Sequence, residues 1–171
     1  RKLKMSKSEL VRMLRIGMPA GLQGMVFSIA NVCIQAALNG YGSDAVAGSA
    51  VALNFEYFTY FVISAFNQTS VTFTSQNYGA AQYDRCRKVH RFCLISGLLI
   101  TAVMCFIFIA GKGIFISLFT SDPDVAAYAS VRMLCVLSFL PLANTYEIGG
   151  ASLRGLGYSM TPAVLTVFGT C

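Results

Sequence analysis

Long stretches without a single charged residue, separated by short basic clusters, constrain this chain more than any other feature. The segment at 16–39 is uncharged throughout, and 92–111 is too. The segment at 45–76 contains Glu56 as its one charge, and 159–171 contains none. The segment at 125–151 holds Arg132 near its start and Glu147 near its end. A run of about 18 or more apolar residues spans the hydrocarbon core of a bilayer as one helix. Only 12% of the 171 residues are charged while 56% are hydrophobic, against about 25% charged in average soluble domains. So short a chain cannot cover a water-facing surface with so few polar groups. The expected fold class is therefore an all-α membrane protein, a transmembrane helical bundle of four complete spans and a truncated fifth. The chain starts without methionine at Arg1 and stops at Cys171 within an apolar run, which reads as a fragment of something longer.

The net charge of +6 could suggest nucleic acid, but the charges cluster between apolar runs and form no basic stripe along one face. The expected partner is the lipid bilayer with its anionic headgroups, with no nucleic acid involved. Arg1, Lys2, Lys4, Lys7, Arg12 and Arg15 precede the first span; Arg85, Arg87, Lys88 and Arg91 separate the second from the third; Arg154 follows the fourth. The alternate loops offer Lys112 against Asp44, Asp122 and Asp124. An excess of Lys and Arg marks cytoplasmic loops, so the amino terminus is expected inside the cell. Arg132, just within the fourth span, is expected to snorkel toward the outer face.

Local signals set the helix ends. Ser6 and Glu9 have capping-box spacing, and Asn39-Gly40-Tyr41-Gly42 closes the first span, with Ser43 or Asp44 to cap the second. Gly79 is expected to stop a helix, and Ser121-Asp122-Pro123 to start one.

The polar residues within the spans carry the chemistry. Gln23, Asn31, Gln35 and Asn39 recur at multiples of four along the first span. They form a stripe that would be costly in lipid, so it either lines a substrate or ion path or bonds helices together. A charge at the centre of a span costs about 2.5–3.5 kcal/mol on insertion scales, so Glu56 and Glu147 are expected to have work to do. Desolvation penalises the ionised form of a carboxyl group, which suits a proton carrier or a cation ligand. Glu56 sits in Phe55-Glu56-Tyr57-Phe58-Thr59-Tyr60-Phe61, followed by Gln68. Carboxylate and aromatic faces together suit a lipophilic cation, so Glu56, Tyr57, Tyr60 and Gln68 form one candidate patch. The competing reading makes Glu56 a tie to a neighbouring helix. Glu147 competes between ion binding and a pair with Arg154. Pro19 and Pro141 each free a backbone carbonyl, and such helix breaks often flank transport sites.

The six cysteines form no metal-like or CxxC spacing with the single His90, so neither a metal site nor a disulfide framework is expected. No Walker loop, GxGxxG, HExxH or Ser-His-Asp set is present, so no enzyme and no organic cofactor is expected.

Three stretches resemble motifs of the multidrug and toxic compound extrusion (MATE) transporters. Leu14-Arg15-Ile16-Gly17-Met18-Pro19-Ala20-Gly21-Leu22-Gln23 resembles the opening of their seventh helix. Ser75-Gln76-Asn77-Tyr78-Gly79-Ala80-Ala81 resembles their GQNxGA loop. Ser152-Leu153-Arg154-Gly155-Leu156-Gly157, with Pro162, resembles their LRGxG…P junction. The resemblance implies that residues 1–171 form part of the carboxy-terminal lobe of a twelve-helix, two-lobed antiporter, whose amino-terminal lobe would be the missing partner. It further implies export of drugs or organic cations against H⁺ or Na⁺ across a bacterial cytoplasmic membrane; in such a transporter the polar stripe of the first span would place Gln23, Asn31 and Gln35 on the cavity wall. Some members carry a Glu in the seventh helix and an Asp in the tenth where this chain has Phe27 and, approximately, Ala143. That cation site does not transfer. Rival readings are a flippase for lipid-linked oligosaccharides and a structural membrane subunit without transport activity.

Overall fold

A computed structural model describes residues 6–170. Arg1, Lys2 and Lys4 of the basic start and Cys171 lie outside the described residues, as do the side chains of Glu9 and Arg12. Four long helices and two shorter ones follow in order: α1 Lys7–Asn39, α2 Ser43–Gly79, α3 Tyr83–Ala110, α4 Lys112–Ser117, α5 Pro123–Gly155 and α6 Met160–Thr170. No strand occurs among the described residues. Four helices are long and apolar enough to cross a membrane: α2, α3, α5 and the Met13–Asn39 part of α1. They outrun the uncharged segments, most clearly in α3, because a helix keeps its backbone bonds through the polar interface beyond the hydrocarbon.

Helix ends follow local chemistry with some departures. Asp122 caps α5 as expected, its Oδ1 accepting the Asp124 N–H at 2.9 Å, with Pro123 at the first helical position. Ser6 is the N-cap of α1, yet its hydroxyl turns to Ser8 Oγ at 2.8 Å and bonds no backbone amide of the helix. Neither Ser43 nor Asp44 caps α2. The cap position belongs to Gly42, at φ 95°, a backbone conformation that costs a residue with a Cβ, and Ser43 Oγ donates to the Asp44 carboxylate instead. Helix α2 does end at Gly79, but the left-handed residue of the turn is Ala81, at φ 56°. The segment after Lys112 is not all loop: α4 folds there and drives Ile116 into the core, 2% exposed.

Helices α2, α3 and α5 form the packed body, and the α2–α5 contact is the most extensive. These two helices run parallel, each from the Asp-rich end toward the basic end. Gly48 lets them meet at one end, where a Cβ would fall 2.6 Å from the Val125 carbonyl. Gly155 does the same at the other end, where a Cβ would fall 2.8 Å from Thr74 Cβ. Close approach through small residues is the means by which helices associate where lipid removes the hydrophobic drive. Between these points Ala52, Ala129, Met133 and Leu137 are fully buried. Phe55 stacks edge-on against Phe108 and Phe119, with centroids 5.3 and 5.5 Å apart. Helices α1 and α6 pack more on each other than on this body, and most of α1 is exposed.

Candidate functional site

Toward the basic end, α1, α2 and α5 leave an open cavity of about 390 Å³. Helix α1 contributes Gln23, Gly24 and Phe27; α2 contributes Tyr60, Ser64, Asn67 and Gln68; α5 contributes Glu147 and Arg154. Glu147 is the one acid in this lining. Its side chain is 17% exposed and that of Arg154 is 20%. Asn67 Nδ2 donates to Glu147 Oε2 at 2.6 Å, while Arg154 Nη2 stands 3.8 Å from the same oxygen. The amide thus holds the carboxylate directly, and the guanidinium attracts it from beyond hydrogen-bond length. Arg154 Nη1 reaches Gln23 Oε1 at 3.4 Å, and Gln23 Nε2 reaches the Tyr146 hydroxyl at 3.5 Å. These long contacts link α1 to α5, and the short Asn67–Glu147 bond adds α2.

An acid and a base face each other here across a space large enough for a small guest. A proton or a cation arriving at Glu147 competes with Arg154 for the same charge. Two unit charges about 4 Å apart attract by about 4 kcal/mol at an effective dielectric of 20. The energy released or lost when one of them is neutralised is of the size that moves a protein between conformations.

The expected site residues divide. Gln23, Tyr60, Gln68 and Glu147 meet in the cavity. Glu56 does not join them: Arg132 grips it from α5, Nε to Oε1 at 2.8 Å and Nη2 to Oε2 at 3.3 Å. Arg132 therefore does not snorkel outward. A bidentate pair with both side chains near 20% exposed, 21% and 16%, satisfies it better than a reach to the interface. Tyr57 points elsewhere, exposed with Asn54, Phe58 and Phe61. Asn31 and Gln35 are exposed on α1 and do not line the cavity. Four residues turn an α-helix by about 40° more than a full circle, so a stripe at multiples of four winds away from any straight neighbour. Pro19 and Pro141 lie inside α1 and α5, which continue as helix on both sides of them. Each proline removes one backbone bond, and the flanking turns hold.

Asn67, the closest partner of Glu147, was not among the sequence candidates. Tyr60, Ser64, Asn67 and Gln68 follow the i, i+4, i+7, i+8 rule for one helix face, which is the signal that finds Asn67. Tyr146 beside Glu147 carried no such signal.

Comparison with known proteins agrees with the motifs. Residues 19–171 match the family model MatE. The chain is 27% identical over 169 residues to the probable multidrug resistance protein YoeA of Bacillus subtilis (strain 168), covering 98% of this chain and 36% of that protein. It is 25% identical over 159 residues to the probable multidrug resistance protein NorM of Pasteurella multocida (strain Pm70), covering 92% and 34%. A third relative, the probable multidrug resistance protein NorM of Thermotoga maritima, is 26% identical over 155 residues, 90% of this chain and 33% of that protein. The chain spans about a third of the length of these curated relatives.

Proposed function

The chain belongs to the MatE family, and on that premise we propose that it forms part of the carboxy-terminal lobe of a secondary antiporter. That antiporter exports drugs or organic cations in exchange for H⁺ or Na⁺, with the basic end of the bundle on the cytoplasmic side. The relatives' names support drug export; the coupling chemistry is argued from the residues. Among the acids of the spans, Glu147 is the coupling group, because it alone lines a cavity in which its countercharge stands at a distance. Glu56 is held on both oxygens by Arg132 and acts as a tie between α2 and α5.

The mechanism follows from competition. In the empty state Arg154 and Asn67 hold Glu147, and Gln23 connects this cluster to α1. A coupling ion neutralises Glu147 and frees Arg154, which loosens α1 from α5. An organic cation entering beside Tyr60 and Gln68 favours the ionised carboxylate and so displaces the coupling ion. Two ligands that compete for one charge cannot be carried together, which is the requirement for antiport. The observation that carries this reading is the Glu147–Asn67–Arg154 cluster at the cavity wall.

Drug efflux from cells or proteoliposomes, with the full-length protein, tests it. Glu147→Gln is expected to lower ion-driven export by about a hundredfold or more at normal membrane abundance, the size of contribution a positioned proton-transfer group makes. Glu56→Gln is expected to lower abundance and leave export per molecule within about twofold, as for a group whose loss acts on folding. Undiminished coupled export in Glu147→Gln removes the carboxylate from the mechanism.

A further inference from the structure

A second recess, of about 410 Å³, opens at the basic end between the start of α3 and the end of α5. Arg87, His90 and Arg91 line it from α3, spaced i, i+3, i+4 and therefore on one helix face. Thr74 comes from α2 and Ser152 from α5, with Leu153 and Leu156 as an apolar wall, and no acid faces the recess. Arg91 has no hydrogen-bond or ion-pair partner among the described residues. Arg87 has only a loose pair with Asp84 at 3.9 Å, both side chains at least 80% exposed. Thr74 is 1% exposed, and its Oγ1 is buried without a partner.

The hydrogen bonds also set the histidine. Ser152 Oγ donates to the Ile148 carbonyl at 3.0 Å, which uses its one proton. Ser152 Oγ also lies 3.0 Å from Ser70 Oγ and 2.8 Å from His90 Nδ1, and with its proton on the carbonyl it accepts from both. His90 is thereby anchored through Nδ1 and presents Nε2. Just beyond the recess, α3 exposes a row of large apolar side chains: Phe92, Ile95, Leu99, Val103 and Phe106. Their spacing of three and four residues keeps them on one side of the helix.

We propose that this recess seats the phosphate of an anionic phospholipid, with its acyl chains laid along the exposed row of α3. Arg87 and Arg91 bind the phosphate oxygens, the pairing that the planar guanidinium suits best. His90, tied to Ser152 through Nδ1, lines the recess beside them. The site stands where the basic first turns of α3 give way to its apolar length, which is where a lipid in the bilayer places its own charge. The proposal is independent of the antiport reading, because it uses neither Glu147 nor its cavity.

Native mass spectrometry of the full-length protein in detergent, titrated with phosphatidylglycerol or with phosphatidylcholine of the same chains, tests it. The expected result is tighter binding of phosphatidylglycerol, weakened by about tenfold in Arg87→Ala, Arg91→Ala and by less than about twofold in Arg85→Ala, Lys88→Ala. The second pair removes the same charge from the same segment without lining the recess, so equal losses in the two pairs would mean diffuse charge attraction and overturn the site. Glycerol 3-phosphate at equal concentration is expected to leave the lipid bound; full displacement would make the recess a soluble-phosphate site and overturn the lipid assignment. If the double variant fails to fold, Arg91→Gln, which breaks no intramolecular bond, carries the same comparison, with a loss of about threefold or more expected against Lys88→Gln. No difference between those two single variants would likewise sink the proposal.

Discussion

Glu56 and Arg132 show how much a single partner changes what a charged residue does. An isolated carboxylate among aromatic side chains would suit a lipophilic cation, but the guanidinium on the facing helix occupies both of its oxygens. Removing one member of such a half-buried pair strands the other's charge, a cost of roughly 3 kcal/mol or more. Arg132→Met is therefore expected to lower the unfolding midpoint in detergent sharply, and the double variant Arg132→Met, Glu56→Gln to recover most of the loss. A double variant as unstable as the sum of the singles would show that the two residues act separately. Glu147 is built differently: its direct partner is a neutral amide, and its countercharge stands off at 3.8 Å. That arrangement leaves the carboxylate open to exchange, and the contrast between the two glutamates is the residue-level basis of the proposed coupling.

Helices α2 and α5 meet closely at two points, with a buried apolar face between them. Helices α2 and α5 touch through Gly48 and Gly155, and the aromatic cluster around Phe55 fills the space near the first crossing. Gly48→Ala places a Cβ into the backbone of α5. Overpacking of this kind costs roughly 1–3 kcal/mol, whereas Gly21→Ala on α1, with nothing within 4 Å, is expected to be neutral or mildly stabilising, since alanine is the better helix former. Thermal unfolding of both variants in the same detergent distinguishes them; similar midpoints would mean that the crossing adjusts freely. The hydrophobic runs forecast the helices themselves, because length and lack of charge suffice to specify a span. They were silent on α4, since six residues of mixed character carry no periodic signal.

Across the whole molecule, the basic and acidic loops sort to opposite ends. Arg85, Arg87, Lys88, Arg91 and Arg154 share one end with the start of α1, while Asp44, Asp122 and Asp124 share the other. If the basic end faces the cytoplasm, a cysteine at Gln82 in a cysteine-free background is expected to react with an impermeant maleimide only after the cells are opened. A cysteine at Ser121 is expected to react in intact cells. The reverse pattern would invert the orientation and with it the direction of transport proposed above.

Class, the four long spans and charge sorting were settled by sequence alone, because the bilayer acts on each segment separately: every span must be apolar and helical by itself. The pairing of polar groups was not, because it depends on which helix lies beside which and at what rotation. Gln23, Tyr60, Gln68 and Glu147 converge only once α1, α2 and α5 are placed side by side, while the same placement leaves Asn31 and Gln35 exposed and gives Glu56 to Arg132. A polar residue in a span announces that it needs a partner; only the packed bundle decides which one it has.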